Sequence, residues 1–570
     1  MYDSLTNSYI LSEEMSRLQT EKKSAIELQK RKHEDWTDNY DLYRGKVKTN
    51  RLTQRQAVNI PLMKETIKTL LSRIDEPPEI TWKELSGDEL KEIYYQELWN
   101  EFGKVNNLEL VDILDKKNVL LYGHSVKKLN INDQGVTVSV LDPYDALIDP
   151  LYSPWDLETA RYVIIQNNFR SVREILADDK YTKEGKEDLK IWADTVPGIT
   201  QSNINEEEWK KKLKRLQDMG LDSGKFAFFA GGDRIVNITE HFTERWSDSK
   251  KAFERRVVVY ADDKIELYNE TLEDCIGVDF WPFVRWSEDP ETIDIYPDSV
   301  ADLVRTPNKV LNVWFSQMIE NRTLKNFQMH WFSPVQGYTP QTYTPGPGVM
   351  LPAPPGEDIN KVLRPVEISG LDDTLEAINI VTQIVERGTG ATAIEKGQPE
   401  QGQQTLGEVE ILTGKANERA TAMAKFYRLA WYEFAKKWCK LMEANAPKMV
   451  KLFKMGASGK AYPKSILKKD WQSDAGYEPI VESSSERESN ETKSIQKWLF
   501  VLQQFPNNLA LRTIAQQREL KVLDLTPEEL KQVEEGEKQA AQMAQQGQPM
   551  SPDQQQLAST VQQQMSQINA

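Results

Sequence analysis

Residues 294–326 read DIYPDSVADLVRTPNKVLNVWFSQMIENRTLKN, residues 371–386 read LDDTLEAINIVTQIVE, and the stretch between them, 327–370, holds eight of the chain's 27 prolines and five of its 28 glycines. The first piece predicts one long helix over 298–326, interrupted or restarted at Thr306-Pro307, because Thr as N-cap with Pro in the first turn is favourable chemistry for a helix start. Its apolar residues Val300, Leu303, Val304, Leu311, Trp314 and Met318 keep near-heptad spacing. The intervening stretch contains short extended pieces (MHWFSPV, GVMLPA, INKVLRPVEI) and is too rich in aromatic and aliphatic residues for a linker. It predicts a small β and loop module set between two helices.

The helix over 371–386 carries one polar stripe, Asp372, Glu376, Asn379, Gln383 and Glu386. Two apolar flanks accompany it, Leu371, Leu375, Ile378 and Val385 on one side and Ala377, Ile380 and Ile384 on the other. That pattern suits a helix packed on both flanks with a polar side facing water, the arrangement of helices around a tunnel. An ordinary amphipathic surface helix explains the stripe equally well. A Gly/Gln-rich loop follows over 388–402, and residues 405–444 give the longest uninterrupted helical pattern, ending before Pro447.

Upstream, residues 12–43 read as a charged helix stopped by Gly45, and 62–74 as a second helix with Leu62, Ile67, Leu70, Leu71 and Ile74 on one face. A third helical stretch covers 88–121. Residues 125–131 and 136–141 alternate around Asn132-Asp133-Gln134-Gly135, a hairpin signal. Residues 161–169, 235–246, 253–261 and 264–268 read as strands, the last three of one antiparallel sheet, and Ser171 caps a short helix. Residues 206–219 predict a strongly charged helix, 470–483 an extended segment, and 493–505 and the stretch from Thr526 further helices. The final thirty residues are dominated by Gln, Ala, Met and Ser.

At 570 residues the chain accommodates about three or four structural units. Hydrophobic residues make up 39%, enough to exclude global disorder. A net charge of −16 disfavours tight static wrapping of nucleic acid, which needs a basic footprint, yet a repulsive wall lets a polyanion slide past unbound. Solubility alone also accounts for such a balance. Two cysteines, Cys275 and Cys439, give no disulfide framework and fit a reducing compartment. The polar N-terminus lacks an apolar signal core and no stretch approaches ~20 apolar residues, so the expectation is a soluble protein made in the cytoplasm, away from membranes.

The motifs of catalysis are missing from the sequence. Gly45-Lys46, Gly414-Lys415 and Gly459-Lys460 are followed by Val or Ala and lack the first glycine of a phosphate-binding loop. Four histidines (His33, His124, His241, His330) and the two cysteines lie too far apart for zinc-ligand spacing. No G-x-S-x-G elbow occurs, and Cys439 sits within KKWCKLM as helix core. Acidic runs such as Glu206-Glu207-Glu208 read as solvated helix faces. The expectation is no enzyme, no catalytic residue, no metal and no cofactor.

In its order of elements the chain resembles the portal family of tailed double-stranded DNA bacteriophages. The stretch DIYPDSVADLVRTPNKVLNVWFSQMIENRTLKNF looks like the family's first stem helix. QTLGEVEILTGKANERATAMAKFYRLAWYEFAKKW is similar to its post-loop helix, whose Thr-x-x-Glu start Thr405 and Glu408 match. LYRGK, NIPLMKETIKTLLSRIDEPPEI and VESSSERESNETKSIQKWLFVLQQF look like the N-terminal region and the entrance to the crown. The resemblance spans nearly the whole chain, through architecture and diffuse patterns rather than a short motif.

It implies a predominantly helical α+β fold assembled as a ring, usually of twelve. The implied segments are an N-terminal α+β wing over 1–293, a first stem helix over 294–326 and a clip over 327–370. A second stem helix over 371–387 and a tunnel loop over 388–404 follow. The wing return with its long helix covers 405–485, and a helical crown with the Gln-rich tail covers 486–570. The stem would surround a DNA channel with an electronegative wall, for which Asp372, Glu376, Asn379, Gln383 and Glu386 are the candidate lining residues. Lys396 is the candidate tunnel-loop contact to DNA. The implied partners are other copies of the chain, the major capsid protein, the terminase large subunit, tail adaptor proteins and double-stranded DNA, at the portal vertex of a virion. Two other readings stand beside this one: another virion component such as an adaptor or scaffold-like protein, and a nuclease with a carboxylate-held metal.

Overall fold

The computed structural model describes residues 2–3, 8–9, 12–46, 58–73, 79–132, 135–152, 156–195, 235–326, 330–332, 363–366, 374–389, 406–445, 449–455 and 461–482. The helices are α1 (Glu13–Arg44), α2 (Leu62–Arg73), α3 (Glu89–Asn106), α4 (Leu108–Tyr122), α5 (Val172–Ala177) and α6 (Lys183–Thr195). They continue with α7 (Leu272–Ile276), α8 (Val300–Asn326), α9 (Thr374–Thr389), α10 (Leu406–Asn445) and α11 (Lys468–Trp471). The strands are β1 (Tyr2–Asp3), β2 (Ser8–Tyr9), β3 (Glu79–Glu84), β4 (His124–Asn132), β5 (Gly135–Val140), β6 (Ala146–Ile148), β7 (Tyr162–Ser171) and β8 (Ile235–Ser247). After them come β9 (Ala252–Ala261), β10 (Ile265–Thr271), β11 (Phe283–Ser287), β12 (His330–Phe332), β13 (Leu363–Pro365), β14 (Met449–Met455), β15 (Ala461–Leu467) and β16 (Tyr477–Glu482). The fold is thus mixed, with more helix than strand.

The chain divides into two compact units. The first comprises Met1–Pro78 and Phe102–Pro447. Its backbone is a five-stranded antiparallel sheet in the order β10-β9-β8-β7-β6, accompanied by a three-stranded sheet β11-β4-β5. The alternating runs at 235–246, 253–261 and 264–268 form adjacent strands of the larger sheet as expected, and β4 pairs antiparallel with β5 from Lys127 opposite Val140 to Asn132 opposite Gly135. Helix α1 lies across the larger sheet. Its Met15 and Leu18 pack with Val258 and Tyr260, and Ala25 with Leu147, Tyr162 and Ile164. Ser12 caps its start, accepting from the Met15 amide at 3.1 Å. Gly45, at φ 78°, closes its end in the left-handed conformation only glycine adopts cheaply.

The buried stripe of α1 is half polar, and each polar member has a partner. Lys22 Nζ donates to Thr239 Oγ1 at 3.0 Å and to Asp263 Oδ1 at 2.7 Å. Gln29 Nε2 donates to the carbonyls of Pro143 and Ala146, and His33 Nε2 bonds the side-chain oxygen Gln29 Oε1 at 3.0 Å. On β8, buried His241 bonds Glu21 Oε2 at 3.0 Å, while Arg245 reaches Glu21 Oε1 at 3.1 Å. Burial alone would push the Glu21 carboxyl up, but the His241 hydrogen bond and the Arg245 charge hold it at about 2. Burial pushes His241 down, against the opposing pull of the Glu21 hydrogen bond and charge.

The second unit comprises Glu79–Glu101 and the described residues that follow Pro447. Strand β3 pairs antiparallel with β16, from Glu79 opposite Glu482 to Glu84 opposite Tyr477. Gln96 of α3 pins β3 from the side, accepting from the Trp82 amide and donating to the Ile80 carbonyl. Tyr95 stacks on Tyr477 with centroids 3.9 Å apart, and Trp82 and Trp471 complete the aromatic core. Hydroxyls of Ser473 and Ser86 donate to Glu84 and hold its carboxyl at about 2. In the same unit β14 pairs with β15.

Several sequence expectations need correction. The stretch 88–121 is two helices, not one, because Asn107 takes up φ 48°, a left-handed conformation that Asn tolerates better than most residues. The helix expected over 298–326 is not interrupted at Thr306-Pro307: α8 starts at Val300 and runs through Pro307. Its start is a capping box, with the Asp302 amide donating to Ser299 Oγ at 3.2 Å and the Ser299 amide to Asp302 Oδ2 at 2.8 Å. A proline inside a helix costs about 3 kcal/mol, and the buried contacts of Val304, Asn308 and Leu311 around it offset that cost. The expected extended segment 470–483 opens with the end of α11 before β16 begins. The charged helix at 206–219, the helices at 493–505 and from Thr526, and the crown and tail lie outside the described residues.

Candidate functional site

The pair α8 and α9 forms a helical hairpin, and the two strands β12 and β13 that flank the proline-rich stretch pair antiparallel, His330 opposite Pro365. Within the hairpin α9 buries Ile378, Val385 and Thr389, which follow one another at helical spacing on one face. Helix α8 buries Val300, Ala301, Val304, Asn308, Leu311 and Asn312, and nothing from Val313 onward. The apolar residues Leu303, Val313, Ile319, Leu375, Ile380 and Ile384 remain 47–60% exposed. At roughly 100° per residue, Ile380 and Ile384 sit on the flank of α9 turned away from its packed face.

The structure brings three of the predicted lining residues together on one exposed stripe, Glu376, Asn379 and Gln383, with Glu386 half-buried beside them. Asp372 and Lys396 lie outside the described residues. Arg387, which the sequence reading passed over, is exposed next to the stripe. Helix α8 carries four basic and two acidic side chains and α9 two acidic and one basic, so the described hairpin is one charge positive. The stripe is polar but not strongly electronegative over the residues described. At its end, Gly388 and Thr389 belong to α9 rather than to the following loop. The Thr389 hydroxyl donates to the Val385 carbonyl at 2.8 Å, and its burial extends the packed face by a turn.

Directional contacts fix the base of the hairpin. Asn308, Asn312 and Ser316 stand on successive turns of α8 and read the backbone of residues 58–63. Asn308 Oδ1 accepts from the Met63 amide at 2.9 Å and Asn312 Oδ1 from the Ile60 amide at 2.7 Å. Ser316 Oγ accepts from Val58, and Asn308 Nδ2 donates back to the Ile60 carbonyl. Asn39 of α1 donates to the Leu121 carbonyl and to Asp302. Buried asparagines amid apolar heptads were the available signal in the sequence.

The long helix α10 rests on a fully buried group of charges. Lys116 pairs with Asp112 at 2.6 Å, Lys127 pairs with Asp115 at 2.7 Å, and none of the four side chains exceeds 2% exposure. Trp286 Nε1 donates to Asp115 at 2.7 Å. Above them, Lys116 lies 4.7 Å from the Tyr427 ring and Lys127 4.5 Å from the Trp431 ring. Burial pushes the Asp112 carboxyl up to about 6 against the pull of Lys116. Further along α10, Lys437 donates to the Phe283 carbonyl and pairs with Glu158 at 2.7 Å, and Asn445 donates to the Ile276 carbonyl. Buried Cys439 packs within the same helix.

Among the described residues there is no cluster of His, Cys, Asp and Glu able to hold a metal ion, and no helix long and apolar enough to cross a membrane. No curated protein matches the chain. Among solved structures it is similar to a chain of "Neck of empty GTA particle computed with C6 symmetry", at 9% identity and a TM-score of 0.36, over 77% of this chain and 86% of that one. The profile of the family described as "Phage SU10 portal protein" matches residues 13–569, and the chain with this helical hairpin belongs to that family.

Proposed function

We propose that copies of this portal-family chain close into a ring whose inner wall is built from α8 and α9 and through which double-stranded DNA enters and leaves a capsid. The observation that carries this reading is the half-covered hairpin. Each helix buries one face within the subunit and leaves both a polar stripe and an aliphatic flank open, as a wall element with water inside and a neighbour beside it requires. Glu376, Asn379, Gln383 and Glu386, with Asp372, line the channel. A wall of short polar and acidic groups holds DNA weakly, whereas a ring of lysines would neutralise phosphates and grip each turn.

In this reading residues 327–370 form the clip, 388–404 the tunnel loop with Lys396 near DNA, and 486–570 the crown and tail. Twelve copies assemble. The clip docks first a terminase, which supplies the energy, and later tail adaptors, while the wing faces the capsid protein. The subunit itself catalyses nothing. Negative-stain imaging of the purified full-length chain, with mass measurement of the intact particle, tests the proposal. The expected result is an annular particle with a central hole. Elongated particles, or a chain that stays monomeric at all concentrations, overturn it.

A further inference from the structure

A cavity of about 640 Å³ is lined by strands of both sheets of the first unit, β4 and β5 from one and β7, β8, β9 and β10 from the other, together with α7. That volume lies within the range of small-molecule sites. Two register shifts of the larger sheet fall at its wall, between Ile165 and Asn168 on β7 and between Glu266 and Tyr268 on β10. At the first of them Asn167 takes up φ 59°. Such bulges re-aim side chains and gather beside binding sites.

The polar lining has unspent donors of one sign. Lys128 on β4 pairs with Glu240 on β8 and so ties one sheet to the other. Its side chain is only 13% exposed and its ammonium lies 5.2 Å from the Phe242 ring. Among the described residues Glu240 is its hydrogen-bond acceptor, which leaves two of its three N–H groups for the cavity. Arg170 and Lys180 stand exposed in the same lining, and neither side chain forms an ion pair among the described residues. Burial would raise the Glu240 carboxyl, but Lys128, Arg170 and Lys180 together hold it below its ordinary value, so the three cations surround one carboxylate. The other acids of the lining are engaged at home. Asp142 accepts from the Tyr144 amide at 3.1 Å, Asp145 from Asn167 Nδ2 at 2.9 Å and Asp178 from the Lys180 amide at 3.0 Å. Buried Phe242, Val257, Val259 and Leu272 add an apolar wall.

We propose that this cavity binds a small organic anion with an apolar body. Lys128, Arg170 and Lys180 hold its charged group, and Phe242, Val257, Val259 and Leu272 cover its body. A DNA duplex is too wide to enter the space, and inorganic phosphate alone would leave the apolar wall bare. The site lies within one unit of one subunit, so it does not depend on the ring reading.

The test titrates the full-length chain with anilinonaphthalene sulfonate and, separately, with phenylnaphthylamine, the same ring system without the sulfonate. Fluorescence should show one saturable sulfonate site per chain. Arg170→Ser with Lys180→Ser should weaken sulfonate binding at least about tenfold, since charge-assisted hydrogen bonds are lost, and leave the neutral probe within about twofold. Lys64→Ser with Lys68→Ser, two exposed cations of α2, should leave both unchanged. A second readout needs no variant. Cys275 lines the cavity, whereas Cys439, the chain's other cysteine, is buried. Saturating sulfonate probe should slow alkylation of Cys275 by iodoacetamide at least about fivefold, because the thiol loses access to solvent. Absence of a saturable site, equal weakening by the two pairs of substitutions, or an unchanged Cys275 rate overturns the proposal. A neutral probe that binds as tightly as the sulfonate makes the pocket merely apolar and also overturns it. Whether the chain assembles touches neither readout.

Discussion

Removing the charge of Asp115 is the sharpest available test of how the long helix α10 is held. In Asp115→Asn the Lys127 ammonium, 0% exposed, loses its counter-ion at 2.7 Å, and Trp286 Nε1 loses a charged acceptor at the same distance. Breaking a buried pair from one side costs about 3–5 kcal/mol, because the remaining charge has no water to turn to. The neighbouring Asp112 carboxylate also attracts Lys127 and takes up part of the loss, so the lower end, about 3 kcal/mol, is expected. Adding Lys127→Met should recover part of it, since it removes the buried charge left without its counter-ion. Urea unfolding followed by tryptophan fluorescence reads both, because Trp286 and Trp431 flank the pair. A coupling of at least about 2 kcal/mol in the double-mutant cycle is expected. A single variant within about 0.5 kcal/mol of wild type, or a double variant as unstable as the single, refutes the account of α10 as a helix seated on buried charge.

Four further outcomes follow from other residues. Glu21 has a folded-state value of about 2, below its ordinary 4.5, so its contribution to stability is present above pH 4.5 and is lost as pH falls toward 2. Glu21→Gln should flatten the acid limb of a stability-against-pH curve over that window, and an unchanged limb contradicts the His241–Glu21–Arg245 network. Asp112 has the opposite sign: with its folded value raised to about 6, stability falls as pH rises from about 4 to 6, and Asp112→Asn should remove that slope. Asn312→Ala leaves the Ile60 amide without its acceptor at a cost of about 1–3 kcal/mol, seen as faster hydrogen exchange at Ile60 and not at the distant strand amides of β8 and β9. Gln383→Lys would add one cation per subunit to the proposed wall. Assembled variant should retain double-stranded DNA at low salt and release it as salt rises, while wild type retains little; equal retention by both removes Gln383 from the wall.

Much of the architecture was legible because it rests on local signals. Gly45 ends α1, Ser171 caps α5, and the alternation over 235–268 gives three adjacent strands. What escaped depends on contacts distant in sequence. Residues 79–84 pair with residues 477–482, and neither run announces the other. The charged appearance of α1 hid a buried face, because Lys22, Gln29, His33 and Asn39 are polar and still inside: Lys22, Gln29 and Asn39 are each matched to an atom on a remote element, and His33 bonds Gln29 one turn away. Pro307 read as a boundary because propensity is local, whereas packing decided the helix. At the candidate site the polar stripe of α9 was readable from period alone, but its charge balance was not: Arg387 and the basic residues of α8 offset Glu376 and Glu386.

The buried and the open sides of the hairpin differ in the way that the proposed ring would need. Inside the subunit α8 is fixed by directional bonds: Asn308, Asn312 and Ser316 each read a particular backbone atom of residues 58–63, and a shift of one residue would break all three bonds and leave the buried Met63 amide unpaired. On its open side the hairpin sets the aliphatic residues Leu303, Val313, Ile319, Ile380 and Ile384 beside the polar stripe Glu376, Asn379 and Gln383, and the attraction of the aliphatic part is non-directional and grows with area rather than angle. A neighbour pressed against such a surface can tilt by a few degrees at little cost, while each subunit keeps its own register. In the proposed ring many copies must absorb small angular differences at every joint, and aliphatic residues such as Ile380 and Ile384 are the types that would allow it. Polar, geometry-specific contacts on the outer flank and a soft aliphatic seam inside the subunit would make the opposite molecule, one with rigid joints and a loose stem.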